Sequence, residues 1–344
     1  MLNNINDSIK LKFFKNLGSD NSKEYWAMPF FQIPNTFEVF KSINNILYLI
    51  YATRDFSIIS YDLMSNKIIN VIKKAHSHFI TSFNHYLDKN KKRDIIMSIS
   101  GRESIIKLWD ISNFECIFKL NLFESVCGDI ISGEFLCYNN IDYIVLAFKN
   151  NFPNPQFSPI KIYDFNKKNV KNLQGYDTVR ISFVDIYYDK LLCRYFILIC
   201  GDNNFQSYDF EEDKVLHKYL DGDNSTHYSE VVDNNEDIIK LIYPTYDGNI
   251  FIWDFYSGQL LDLIHINKAN FQTICLWDKT HILVSMLNEI KIIDIKNKKI
   301  IKTLLKHNGD ITHIKKIFHP IYGQCILSQD CYVSRIILWI INEK

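Results

Sequence analysis

Side chains able to do chemistry occur in this chain in small, separate groups. His76-Ser77-His78 sets two imidazoles close together, which could begin a metal site, but no further ligand stands at the spacing a closed site needs. Asp221-Gly222-Asp223-Asn224 opens like a calcium loop, yet it lacks the glutamate at the twelfth place, where Asp233 is only nearby. Asp88 to Asp94, reading DKNKKRD, gathers Lys89, Lys91, Lys92 and Arg93. Such a tip could meet phosphates, although no aromatic residues interleave with the charges to stack bases. A phosphate loop, a G-x-S-x-G elbow and an HExxH helix are all missing from the sequence. Of the eight cysteines (116, 127, 137, 193, 200, 275, 325 and 331), none forms a Cys-x-x-Cys pair. Most lie in apolar runs, as buried thiols of a reducing compartment do. We therefore expect no catalytic residues, no metal and no cofactor.

The elements that carry these residues are set by a recurring strand ending. Tyr61-Asp62, Trp109-Asp110, Tyr163-Asp164, Tyr208-Asp209, Trp253-Asp254 and Ile293-Asp294 each close a short apolar run, and Trp339-Ile340 continues the series. The second positions, 62, 110, 164, 209, 254, 294 and 340, are separated by 48, 54, 45, 45, 40 and 46 residues. A period of this size marks a repeat architecture, stacked or radial. Each period holds four runs rich in Ile, Val, Tyr and Phe, punctuated by Asn, Asp, Lys and Gly. This predicts four-stranded antiparallel meanders, and no segment has sustained helical periodicity. The stretch from Ile238 shows the pattern: a strand to Tyr243, a turn at Tyr246-Asp247-Gly248-Asn249, a strand to Asp254, a turn at Tyr256-Ser257-Gly258, and a further strand to Ile264.

At this level the chain resembles the WD-repeat (β-transducin-like) propeller family, whose units end their third strand in Trp-Asp and carry Gly-His before the first. Trp remains in three repeats and Gly-His in none. The resemblance covers nearly the whole chain. It implies an all-β fold, a seven-bladed β-propeller of four-stranded antiparallel blades forming a single domain over 1–344. Strand 9–13 is expected to close the ring as the outer strand of the last blade, because the chain stops at Lys344 soon after a third strand. Residues 14–35, with Trp26, Met28, Phe30 and Phe31, are a connecting segment that packs on a blade edge or serves as a partner-binding flap.

In that family a histidine, a Ser/Thr, an Asp and the Trp of one repeat form a buried hydrogen-bonded tetrad, so His and Trp are kept or lost together. The resemblance implies tetrads from His76, Ser98, Glu103 and Trp109, from His227, Asp247 and Trp253, and from His307, Ser328, Asp330 and Trp339. Each histidine lies four residues before an apolar one, Ile80, Val231 or Ile311. Two features depart from the family: Glu103 stands for Asp in a turn one residue longer, and Tyr243 stands where the second set needs a hydroxyl. The repeats ending at Tyr61, Tyr163, Tyr208 and Ile293 are expected to rely on apolar packing. A buried indole N–H needs an acceptor, which is the physical reason for the coupling.

Lys+Arg and Asp+Glu both number 39, so no global field favours nucleic acid or an anionic membrane. The N-terminus has no continuous apolar signal region, and no apolar run is long enough to span a bilayer. The expected setting is therefore intracellular, cytoplasmic or nuclear, where the Asn224 sequon carries no weight. Family motifs for phosphoinositides (Phe-Arg-Arg-Gly) and for ubiquitin-ligase substrate receptors (Arg two places after Trp-Asp) do not occur.

The expected function is a non-enzymatic protein–protein interaction scaffold or adaptor, a monomeric propeller within a hetero-complex, with protein or peptide partners on the loop face. Candidate contacts are Phe152 and Phe157 in the Pro-rich stretch 149–159, with Arg54, Asp55, Arg102, Asn203, Tyr246 and Asn288. The alternatives are a nucleic-acid-associated propeller using the DKNKKRD tip, or a propeller enzyme in which residues such as Asp202, His281 and Glu289 converge at the channel mouth.

Overall fold

Alternating β-branched and aromatic residues favour a pleated, half-buried backbone, and the computed structural model is built from such strands. It describes residues 37–88, 91–122, 128–150, 159–173, 181–201, 205–219, 228–233, 238–266, 271–331 and 336–342, and the backbone of 10–16; no helix occurs among them. Twenty-eight strands form seven four-stranded antiparallel sheets, the all-β architecture of a seven-bladed β-propeller.

The first blade comprises Phe37–Lys41, Leu47–Ala52, Ile58–Asp62 and Lys67–Ile72, and the second Ser82–Asp88, Arg93–Ser100, Ile105–Asp110 and Glu115–Asn121. The third runs through Gly128–Tyr138, Ile141–Asn150, Ile160–Asp164 and Asn169–Asn172, and the fourth through Ile181–Asp189, Arg194–Gly201, Phe205–Asp209 and Lys214–Tyr219. The fifth has Glu230–Val232, Lys240–Pro244, Asn249–Asp254 and Leu260–His265, and the sixth Phe271–Leu276, His281–Met286, Glu289–Asp294 and Lys299–Leu305. The last contains Ile311–His319, Gly323–Asp330 and Ile336–Asn342, with Lys10–Asn16 in its fourth place. There Lys10 pairs with Asn342 and Phe13 with Trp339, and the register shifts before Asn16.

The chain divides into two compact units. One, Ile33–His227 with Tyr256–Gly258, holds the first four blades; the other, Met1–Gln32, Tyr228–Phe255 and Gln259–Lys344, holds the last three.

The recurring aspartate acts in the turn between third and fourth strands. Its Oδ1 accepts a backbone N–H two or three residues on: Met64 to Asp62 at 2.8 Å, Ser112 to Asp110 at 2.9 Å, Asn166 to Asp164 at 2.8 Å, Glu211 to Asp209 at 3.0 Å and Asn297 to Asp294 at 2.8 Å. Four residues after each aspartate the backbone is left-handed, at Asn66, Phe114, Lys168, Asp213, Gly258 and Lys298. A short side-chain acceptor that mimics a backbone turn, followed by one residue at positive φ, is how such hairpins close. The aspartate recurs because this turn recurs.

Apolar side chains pack between successive blades. In the four-blade unit Ile50 and Ile58 meet Phe83, Ile96 and Trp109, and Met97 and Ile106 meet Ile144 and Leu146. In the three-blade unit Leu283 and Ile292 meet Ile311, Ile326 and Trp339. Each such side chain, fully buried, stabilises the fold by about 1.5–3 kcal/mol. Gly101 lies where a Cβ would come within 2.4 Å of the Ile130 carbonyl oxygen, so the third blade's backbone closes on the second blade's turn at a place only glycine can occupy.

The long 54-residue step is partly strand. The first two strands of the third blade have 11 and 10 residues, against 5 and 6 in the first blade. Lys149, which the sequence placed in the Pro-rich loop, is a strand residue paired with Asp129, and Phe148 N–H donates to Pro159 O at 2.8 Å across the loop's base.

Candidate functional site

Trp109 sits near the end of the second blade's third strand, opposite Ile96. Its indole N–H donates to Ser98 Oγ at 2.8 Å, and Ser98 Oγ lies 2.8 Å from His76 Nε2. His76 Nδ1 stands 3.0 Å from Glu103 Oε2. One tautomer satisfies every atom: Nδ1–H donates to the carboxylate, and Nε2 accepts the serine proton. Burial drives His76 from its ordinary 6.5 down to about 4, outweighing Glu103, so the ring is neutral at pH 7. Burial pushes Glu103 up, but bonds from Ser77 and His76 outweigh it and hold the carboxyl below its usual value.

The connectivity of serine, histidine and carboxylate matches a hydrolytic triad. Ser98, however, has no exposed surface, and its oxygen already accepts the indole N–H. A carbonyl substrate has no approach to it, so the relay holds shape.

The last blade repeats the relay with Trp339 to Ser328 at 2.7 Å, Ser328 to His307 at 2.6 Å and His307 to Asp330 at 2.9 Å. The fifth blade is built differently. Tyr243 stacks on Phe251 at 5.7 Å and Phe251 on Trp253 at 6.1 Å, while Asp247 turns to its own hairpin, accepting from Thr245 Oγ1 and, at 2.8 Å, from Asn249 Nδ2. His227 lies outside the described residues. In the fourth blade the tyrosine hydroxyl serves the turn: Tyr208 donates to Asp213 at 2.7 Å, so this blade does not rest on apolar packing alone.

What distinguishes the second-blade relay is its reach to the surface. Glu103 Oε1 accepts the Ser77 N–H at 2.7 Å and the Ser77 hydroxyl. The link entering this blade is further held by Lys74 N–H to Ser57 Oγ at 3.0 Å, His76 N–H to Phe56 O at 3.3 Å and Lys107 Nζ to Ala75 O at 2.5 Å. Ala75 and Ile80 are buried beneath it. A fixed link thereby presents His78 and Phe79, the latter 51% exposed, beside Phe56, whose ring meets Phe79 edge-on at 5.1 Å.

Phe56 has φ +64° in the turn Thr53-Arg54-Asp55-Phe56-Ser57, and the matching turn Thr245-Tyr246-Asp247-Gly248-Asn249 has glycine at that place. A bulky residue in left-handed backbone costs about 1–2 kcal/mol, so the aromatic ring is kept at some cost to stability. Comparing the two turns by eye would have found it. Phe56 and Phe79 were missed because neither interrupts the repeat length.

Arg54 and Asp55 belong to the turn that carries Phe56, and Arg102 precedes Glu103, whose carboxylate holds Ser77. Asp55 is engaged within its turn by Thr53 Oγ1 and, at 2.9 Å, by Ser57 Oγ, and its carboxyl is held below its ordinary value chiefly by Thr53. Tyr246 and Asn288 occupy corresponding turns in the other unit, where Asn288 Nδ2 donates to His307 O at 3.3 Å. Phe152, Phe157 and Asn203 lie outside the described residues, as do Asp202 and the segment 17–36.

Arg93, counted in the basic tip, bonds to Asp110 at 2.9 Å and Asp88 at 3.4 Å, which engages one of the tip's four cations; Lys89 lies outside the described residues. His281 and Glu289 do not converge. They sit at opposite ends of one hairpin, His281 opposite Asp294 and Glu289 opposite Met286, five strand residues or roughly 15 Å apart. Among the described residues no group of three His, Cys, Asp or Glu is placed to hold a metal ion, and no helix is long and apolar enough to cross a membrane.

No protein-family model and no curated protein matches the chain.

Proposed function

We propose that this protein is a non-enzymatic interaction module of the WD-repeat kind, a subunit or adaptor that holds a protein segment against the turns of its first two blades. The observation that carries this reading is the tetrad-anchored link: four consecutive residues, Lys74 to Ser77, are hydrogen-bonded into place, and the residues they present, His78 and Phe79, are exposed. Groups fixed before binding lose little entropy when a partner arrives, and an exposed aromatic in such a setting is the usual anchor of an interface. The intracellular setting and the place in a larger assembly belong to the same proposal.

The test compares proteins retained from native-cell extract by the wild-type chain and by Phe56→Ser/Phe79→Ser. Expected is the loss of specific partners with an unchanged melting temperature. The same set of proteins retained by both would remove this surface from consideration.

A further inference from the structure

Among the described residues, the fourth strand of every blade pairs on one side only, so seven sheet edges can be compared. An open edge invites a further strand, and a charge within it is a common guard. Six of the seven have such a charge between their first and last residues: Lys119, Lys171, Lys218, Asp262, Lys302 and, in the last blade, Lys12. Two of these are held by the turn of the next blade, Lys171 by Asp213 at 3.1 Å and Asp262 by Lys298. The first blade's edge, Lys67-Ile68-Ile69-Asn70-Val71-Ile72, is charged only at its first residue. On it Ile68, Ile69 and Val71 are 55%, 40% and 41% exposed, so the unguarded edge is also apolar.

Charge returns at the two ends. Lys67 opens the strand and Lys73 follows it, both exposed and neither with an ion-pair partner among the described residues. Asp62, opposite Lys67 in the ladder, has its Oδ1 on the Met64 N–H. A second copy of the chain is a poor occupant. Two-fold antiparallel pairing about Asn70 matches Ile68 with Ile72 and Ile69 with Val71, but it sets Lys67 against Lys73 at both ends, where like charges destabilise. Carboxylates at those two places would be attracted instead. Going beyond the surface of Phe56 and Phe79, we propose that this edge takes a fifth strand from a partner protein: about five residues rich in Val, Ile or Leu, with Asp or Glu at both ends. Main-chain hydrogen bonds hold the added strand, the exposed isoleucines and valine receive its apolar side chains, and the lysines set its sign.

The experiment is a selection from a random peptide library displayed on phage, against the full chain. Fluorescence binding of the recovered peptides is then measured for wild type, Ile69→Lys and Lys67→Glu/Lys73→Glu, each checked for an unchanged melting temperature; Val71→Lys takes the place of Ile69→Lys if that variant melts lower. Hydrogen exchange is followed with and without peptide. Expected are peptides of the stated pattern that slow exchange across 67–72. Their affinity should fall about tenfold or more when lysine enters the edge, fall about fivefold on charge reversal, and weaken as salt rises. Phe56→Ser/Phe79→Ser should bind them as tightly as wild type.

Recovery of no peptide above a protein-free control, or of peptides indifferent to the edge lysine, would overturn the proposal. Peptides that depend on Phe56 and Phe79 alone would overturn it too and leave the interaction-module reading standing. Neutral or basic peptides that lose binding on Ile69→Lys would overturn the acidic assignment. Slow exchange across 67–72 in the chain alone would overturn the open edge, and a concentration-dependent dimer dissolved by Ile69→Lys would assign the edge to a second copy.

Discussion

The second and last blades contain the same relay of tryptophan, serine, histidine and carboxylate, and the placing of the acid separates what they do: Glu103 stands in the turn five residues after Ser98, whereas Asp330 ends a strand two residues after Ser328. Glu103 is long enough to serve His76 with one oxygen and the surface link with the other. Asp330 is 2% exposed in its side chain and serves His307 through Oδ2, and its Oδ1 has no hydrogen-bond partner among the described residues. The buried device is thus purely internal in the last blade, whereas in the second it reaches out to fix Ser77 and, through it, His78 and Phe79. A structural tetrad becomes part of a candidate binding surface when its acid can reach the surface.

The largest effect should come from the last blade's dependence on a distant strand. Deleting residues 1–15 removes most of the strand opposite Trp339 and leaves an open edge; we expect aggregation or a melting temperature lowered by roughly 10 °C or more. An unchanged transition would show that the last blade stands on three strands and that the N-terminal strand is no latch.

Removing the central hydroxyl of each relay comes next. Ser98→Ala and Ser328→Ala each strand a buried indole N–H and an imidazole nitrogen, and each should cost about 2–4 kcal/mol in urea unfolding. Only Ser98→Ala should also weaken partner retention, since only its histidine is tied to the surface link. Equal binding losses would erase the distinction between the blades.

Acid should separate them further. His76 has a folded pKa of about 4, against an ordinary 6.5, so below 6.5 the unfolded chain takes up a proton that the folded chain refuses. Its stabilisation is complete above pH 6.5 and is lost as pH falls toward 4, by about 3 kcal/mol at most. Glu103, depressed below its ordinary 4.5, adds a loss in the same direction as pH falls through its folded value. His76→Gln should flatten the stability profile between pH 6.5 and 4. Part of the slope should survive, because burial also holds His313 of the last blade well below its ordinary value. A profile unchanged by His76→Gln would show that this histidine titrates normally.

The smallest effect concerns the strained turn. Phe56→Gly relieves a left-handed phenylalanine and forfeits its contact with Phe79, so stability should rise by about 1 kcal/mol or less, while partner retention falls. A clear loss of stability instead would mean that Phe56 is held for packing.

The sequence by itself determined the count of repeats and the residue that ends the third strand in six of the seven, and its resemblance to a family implied the pairing of His76 with Trp109 and His307 with Trp339. These were legible because they are local: strand alternation, turn chemistry and the needs of a buried indole each leave a mark within one period. The part played by the aspartates was less plain, since their spacing showed where turns fall and not that each carboxylate accepts the N–H groups of its own turn.

The tertiary structure alone decided which exposed residues meet. Phe56 and Phe79 come from a turn and a link joined by the bonds from His76 N–H to Phe56 O and from Lys74 N–H to Ser57 Oγ. Arg93 turned out to be engaged by Asp110, 17 residues away, and His281 and Glu289 proved to be far apart. Contacts across turns and between neighbouring blades depend on the register of the sheets and the path of each link, and no single period of the sequence encodes either.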